Sequence, residues 1–120
     1  RLEQAGESLK AAELLLGSRF VRPAVNRTYY AMFYAVLALL ASQKRETSRH
    51  SGVISLFDRE YVKAGAFPKE FSRWLHDAFS MRQRSDYSVQ YTPSAEEAKE
   101  LLAHATTFVE AIIKEMRKME

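Results

Sequence analysis

Apolar residues recur at three- and four-residue steps along almost the whole chain, the signature of amphipathic helices. Leu2, Ala5, Leu9, Ala12 and Leu16 form the first stripe, and Gly17 supplies its stop. A second helix is expected to open at Pro23, because proline is tolerated in the first turn. It runs through Val25, Tyr29, Met32, Phe33, Val36, Leu37 and Leu40, and apolar residues also fill its other sides. That pattern marks a central helix touched from several directions. The polar stretch Ser42–Ser48 reads as a loop, with Thr47 or Ser48 capping a third helix. His50, Val53, Ile54, Phe57 and Tyr61 lie on that helix, which ends near Gly65. Pro68 starts a fourth, with Phe71, Leu75, Ala78 and Phe79 along one side. After a break at Tyr87–Thr92, Ser94 and Glu97 have capping-box spacing ahead of a long last helix from Ala98 to Met116. No useful run alternates with the period of a strand. The expected fold is all-α, an up-and-down antiparallel bundle of about five helices, built as one domain over residues 1–120.

Composition narrows the chemistry. The chain has 120 residues and no cysteine, which excludes disulfide scaffolds, thiolate metal sites and cysteine nucleophiles and fits a cytoplasmic protein. Its longest apolar run, Tyr29–Ala41, has thirteen residues, where a membrane-spanning helix needs about 20. No membrane association is expected. The net charge of +3 is unevenly spread: residues 19–59 carry seven Lys/Arg against Glu46 and Asp58. A basic middle segment can meet phosphate, although +3 is small for a dedicated nucleic-acid binder.

There is no glycine-rich phosphate loop, no nucleophile-elbow serine and no His-Glu-x-x-His pair. His50, His76 and His104 fall on three different predicted helices, so neither a metal site nor a cofactor is expected. His50 shares a face with Val53, Ile54 and Phe57 and reads as a core or capping histidine. Arg82 is the informative residue. It falls in the middle of the stripe made by Phe71, Leu75, Ala78 and Phe79, whereas Arg84 points to the solvent side. A guanidinium on an apolar face needs an anion, because an unpaired buried charge is very costly. Asp86, four residues on, can pair with it structurally. Alternatively, Arg82 lines a cleft and takes a phosphate, which its planar fork suits. Spacing alone favours the ion pair. Asn26, Tyr30, Phe33 and Leu37 share a second mixed face, either a buried hydrogen-bond network or a polar pocket.

The run Asn26-Arg27-Thr28-Tyr29-Tyr30-Ala31-Met32-Phe33-Tyr34-Ala35 resembles the second-helix signature of small stand-alone prokaryotic HEPN domain proteins. His50-Ser51-Gly52-Val53-Ile54-Ser55-Leu56-Phe57 is similar to their third helix, and Arg82-Gln83-Arg84-Ser85-Asp86-Tyr87 to their Arg-x-x-x-Asp-Tyr segment. Tyr91-Thr92-Pro93 and Glu96-Glu97-Ala98 continue the likeness, in order, over essentially the whole chain. The resemblance implies a homodimer of helical bundles, and often a toxin whose antitoxin is a small nucleotidyltransferase. It also implies a metal-independent ribonuclease site with an Arg followed four to six residues later by a His, shared across the subunit cleft.

Carried over, the Arg is Arg82, and Tyr87 stands where the His would be. A phenol of pKa about 10 is a poor base at pH 7, so catalysis by Arg82 and Tyr87 is secondary to binding. The expected function is a HEPN-like dimer that holds nucleotide or RNA phosphate through Arg82. Asp86 orients the arginine, with Asn26, Arg27 and Tyr30 beside it. The alternatives are a ribonuclease using Tyr87 and a purely structural helical dimer. Dimerisation is also expected because the central helix is apolar on several sides, more surface than one small bundle readily covers.

Overall fold

The computed structural model describes residues 1–45 and 49–119, so a cap at Thr47 or Ser48 lies outside the described residues. Five α-helices follow one another: α1 Leu2–Gly17, α2 Val21–Ser42, α3 His50–Phe57, α4 Glu70–Tyr87 and α5 Ala95–Lys118. α3 runs directly into one π-helical turn, Asp58–Val62. No strand occurs among the described residues. The bundle is elongated, 40 × 23 × 23 Å.

Both proline-marked starts differ by two residues from the sequence expectation. α2 begins at Val21, with Pro23 still inside the first turn, where backbone N–H groups have no helical acceptor. Regular α4 begins at Glu70, because the Pro68 carbonyl first accepts Phe71 N–H (3.0 Å) in a tighter opening turn. The ends of α1 and α2 and the turn after Val62 all close in the same way. Phe20 N–H reaches back to Leu15 O, Arg45 to Leu40 O and Ala66 to Tyr61 O, each at 2.8 Å. The left-handed residue in these closures is Arg19 (φ 66°), Lys44 (φ 56°) and Gly65 (φ 88°). Gly17 is therefore the last helical residue of α1 rather than its left-handed stop. At the start of α5 the capping box is complete: Ser94 Oγ accepts Glu97 N–H at 3.0 Å, and Glu97 Oε1 accepts Ser94 N–H at 2.9 Å.

α2 packs against all four other helices. Val25, Tyr29, Met32, Val36 and Leu39 on it are wholly buried. Most of its apolar side chains are thus covered within one chain, while Tyr30, Tyr34 and Leu37 stay half-buried. The large apolar side chains that do stand in solvent are elsewhere: Leu14, Phe20, Tyr87, Val89 and Met119. Aromatic rings gather in two groups. One joins Phe57, Phe67, Phe71 and Phe108; the other joins Tyr29, Tyr30, Phe33 and Phe79 with the His50 ring. The second group carries the polar chemistry.

Candidate functional site

α4 turns Phe71, Leu75 and Ala78 into the core, and the same face carries Arg82, which is only 7% exposed. Its guanidinium carbon lies 5.0 Å from the ring centre of Tyr29, 5.4 Å from Tyr30 and 5.7 Å from Phe79. Three rings therefore border this cation. The carboxylate one helical turn on is a loose partner: Arg82 Nη1 to Asp86 Oδ2 is 3.6 Å, beyond hydrogen-bond range. Arg82 Nε is buried with no hydrogen-bond partner among the described residues, and so is the neighbouring Ser85 Oγ.

Asp86 is held from the other side. Asn26 Nδ2 donates to Asp86 Oδ2 at 3.1 Å, and Arg27 donates to Asn26 Oδ1 through Nε (3.1 Å) and Nη2 (2.9 Å). Arg27 also stands over the Tyr30 ring at 5.3 Å. The result is a continuous line, Arg27 to Asn26 to Asp86, ending beside Arg82. Asn26, Arg27, Ser85 and Asp86, with Arg22 and apolar neighbours, wall an open cleft of about 420 Å³. Arg82 stands behind Asp86 and is not part of that wall. The structure thus brings together Arg82, Asp86, Asn26, Arg27 and Tyr30. Tyr87 is 79% exposed and makes no described contact with Arg82.

Three residues in or beside this region are not marked as site residues by the sequence. Tyr29 is wholly buried, and its hydroxyl lies 2.8 Å from His50 Nδ1. His50, the first residue of α3, stacks on Phe33 with ring centres 4.1 Å apart and planes 13° apart. Burial, and then the charge of Arg82, hold the His50 imidazole below the usual histidine range. Burial pushes the Tyr29 phenol up, so it stays protonated at any physiological pH. Arg22, at the start of α2, clamps the loop after α4. It donates to Ser88 O and Val89 O (both 3.2 Å), to Tyr91 O and to Thr92 Oγ1. Among the described residues no group of three or more His, Asp or Glu is placed to hold a metal ion. No helix there is long and apolar enough to cross a membrane.

Known proteins are similar to this chain over most of its length. The HEPN domain family model matches residues 1–116. A "UPF0332 protein" of Thermotoga maritima is 40% identical over 111 residues, covering 92% of this chain and 84% of the relative. "Putative toxin MJ0142" of Methanocaldococcus jannaschii is 37% identical over 108 residues, 90% of this chain and 74% of the relative. A second protein of that organism, "Putative toxin MJ0605", is 32% identical over 118 residues, 98% of this chain and 87% of the relative.

Proposed function

The chain belongs to the HEPN domain family, and from that premise we propose that it is a toxin-type member whose homodimer binds RNA phosphate around Arg82. The observation that carries this reading is the incomplete pairing of Arg82. A buried guanidinium in a purely structural pair closes on its carboxylate with two short bonds. Here the nearest carboxylate oxygen is 3.6 Å away and already accepts from Asn26, while Nε has no described acceptor. Donor capacity is therefore left for an anion. Arg27 faces the adjoining cleft, so Arg27 and Arg82 against Asp86 give that corner a positive balance. Phosphate entering the cleft meets Arg27, with Arg82 next to Asp86 as a second cation.

Exposed Leu14, Phe20, Tyr87 and Val89 offer apolar surface for an isologous contact. The half-buried Tyr30, Tyr34 and Leu37 of α2 add to that surface. Tyr87 at this edge suits stacking on a nucleobase better than proton transfer. Two relatives carry "toxin" in their names. By the family resemblance, the protein partner is a small nucleotidyltransferase acting in the cytoplasm.

The test is fluorescence anisotropy of labelled single-stranded RNA with the pure protein in EDTA, together with light scattering. The expected result is a particle of twice the 13.8 kDa chain mass that binds RNA without a divalent ion. A monomer that binds no RNA at high protein concentration overturns the reading. RNA cleavage in EDTA that disappears with Arg82→Ala would move the assignment from binding to ribonuclease.

A further inference from the structure

No histidine closely follows Arg82 in sequence, but His50 borders the rings that surround it. Arg82 and His50 come from different helices, yet both border the same three rings. The Arg82 guanidinium lies 5.0, 5.4 and 5.7 Å from Tyr29, Tyr30 and Phe79. The His50 ring centre lies 5.8, 5.8 and 6.5 Å from the same three. Phe33 fixes the plane of the imidazole by stacking at 13°.

The protons follow from the partners. Tyr29 is wholly buried, so its hydroxyl needs an acceptor, and among the described residues His50 Nδ1 at 2.8 Å is the one it has. Arg82 over the phenol ring makes the O–H a stronger donor. The bond therefore runs from Tyr29 O–H to Nδ1, and a neutral imidazole must then carry its own hydrogen on Nε2. The groups facing His50 that bear on its protonation are Tyr29 and Tyr30 of α2 and Arg82 of α4. None of them is an anion. The positive end of α3, where His50 sits, also disfavours an imidazolium. What results is an uncharged N–H donor bordering the same three rings as a partly unpaired guanidinium.

We propose that His50 is a second anion-binding residue of the Arg82 site, its Nε2–H donating to a phosphate oxygen of bound RNA, and that Tyr29 is the positioning residue that sets this tautomer. A neutral donor adds a directional contact without requiring a second buried cation beside Arg82. The inference rests on the proposed RNA-phosphate reading and goes further, by naming the residue and the nitrogen that make the contact.

Nitrogen-15 NMR of the intact protein labelled at histidine tests it directly. In the parent protein at pH 7, His50 should show Nε2 protonated and Nδ1 unprotonated. Adding a short single-stranded oligoribonucleotide should shift the Nε2–H resonance. In Tyr29→Phe the tautomers should mix, even if the fold is retained. In binding, His50→Ala should weaken the oligoribonucleotide roughly tenfold or more, as for a hydrogen bond to a charged acceptor. His50→Gln, which keeps a side-chain N–H, should stay within about threefold of the parent. A proton on Nδ1, or an Nε2 resonance that bound RNA leaves unmoved, overturns the proposal while RNA binding itself stands. Loss of binding with Arg82→Ala but not with His50→Ala does the same. No binding by the parent protein overturns both readings.

Discussion

Arg82 holds its guanidinium over the ring of Tyr29 at 5.0 Å, closer in character to a stacked cation than to a salt-bridged one. The hydroxyl of the same Tyr29 lies 2.8 Å from His50 Nδ1, so one buried phenol links the cation of α4 to the imidazole of α3. This link brings together the two stretches that resemble the family, one around Arg82 and one beginning at His50, in one aromatic cluster.

Replacing Tyr29 separates the link from the packing. Tyr29→Phe keeps the ring that supports Arg82 and removes the donor to His50 Nδ1. The expected loss of stability, read from urea melts, is about 1 kcal/mol, the net value of one hydrogen bond. A loss above about 3 kcal/mol would mean that the hydroxyl holds more than the imidazole.

The lowered protonation of His50 has a stability consequence. Burial and the Arg82 charge depress it in the folded state, so the unfolded chain takes up the proton more readily. This contribution is fully present above the unfolded value of about 6.5 and is lost as pH falls through it toward the folded value. The parent protein should lose more stability between pH 7.5 and 5.5 than His50→Gln. Parallel pH dependences would show that His50 titrates normally in the fold.

Gly65 should resist substitution for a backbone reason. Its φ of 88° closes the turn after Val62, and the space that an added methyl group would fill is open, so only the dihedral is at issue. Gly65→Ala should destabilise by about 1–2 kcal/mol. An unchanged melting temperature would show that the turn tolerates a different closure.

Arg84 provides the contrast with Arg82. It is exposed, with its guanidinium 4.0 Å from the Tyr91 ring centre. Arg84→Ala should lower stability by less than about 1 kcal/mol, as for an exposed cation–π pair, and leave RNA affinity unchanged. An affinity loss equal to that of Arg82→Ala would move the binding surface to the other side of α4.

Most of the helices are legible because each has an apolar stripe with its own stop, and Arg82 is legible because it interrupts such a stripe. The spacing of Ser94 and Glu97 likewise predicts a capping box that the fold completes. Other features were hidden by long-range geometry. α2 is apolar on several sides, so periodicity does not tell that Tyr29, rather than Tyr30, reaches His50. The Arg22 clamp joins residues more than sixty positions apart, a pairing no local spacing announces. The family resemblance places Tyr87 beside Arg82, but α4 ends there and leaves the ring in solvent.

The central claim is that Arg82 serves an anion more than it serves Asp86, and one paired measurement tests it most directly. Stability and single-stranded RNA affinity are determined for the parent and Arg82→Ala. Because Asp86 keeps its Asn26 bond and is 27% exposed, the variant should lose only about 1–2 kcal/mol of stability, from the vacated ring faces. Its RNA affinity should fall by roughly 1.5–3 kcal/mol, the value of a hydrogen bond to a charged group. A stability loss of about 3–5 kcal/mol, as for a broken buried ion pair, with no RNA binding by the parent, would contradict the account.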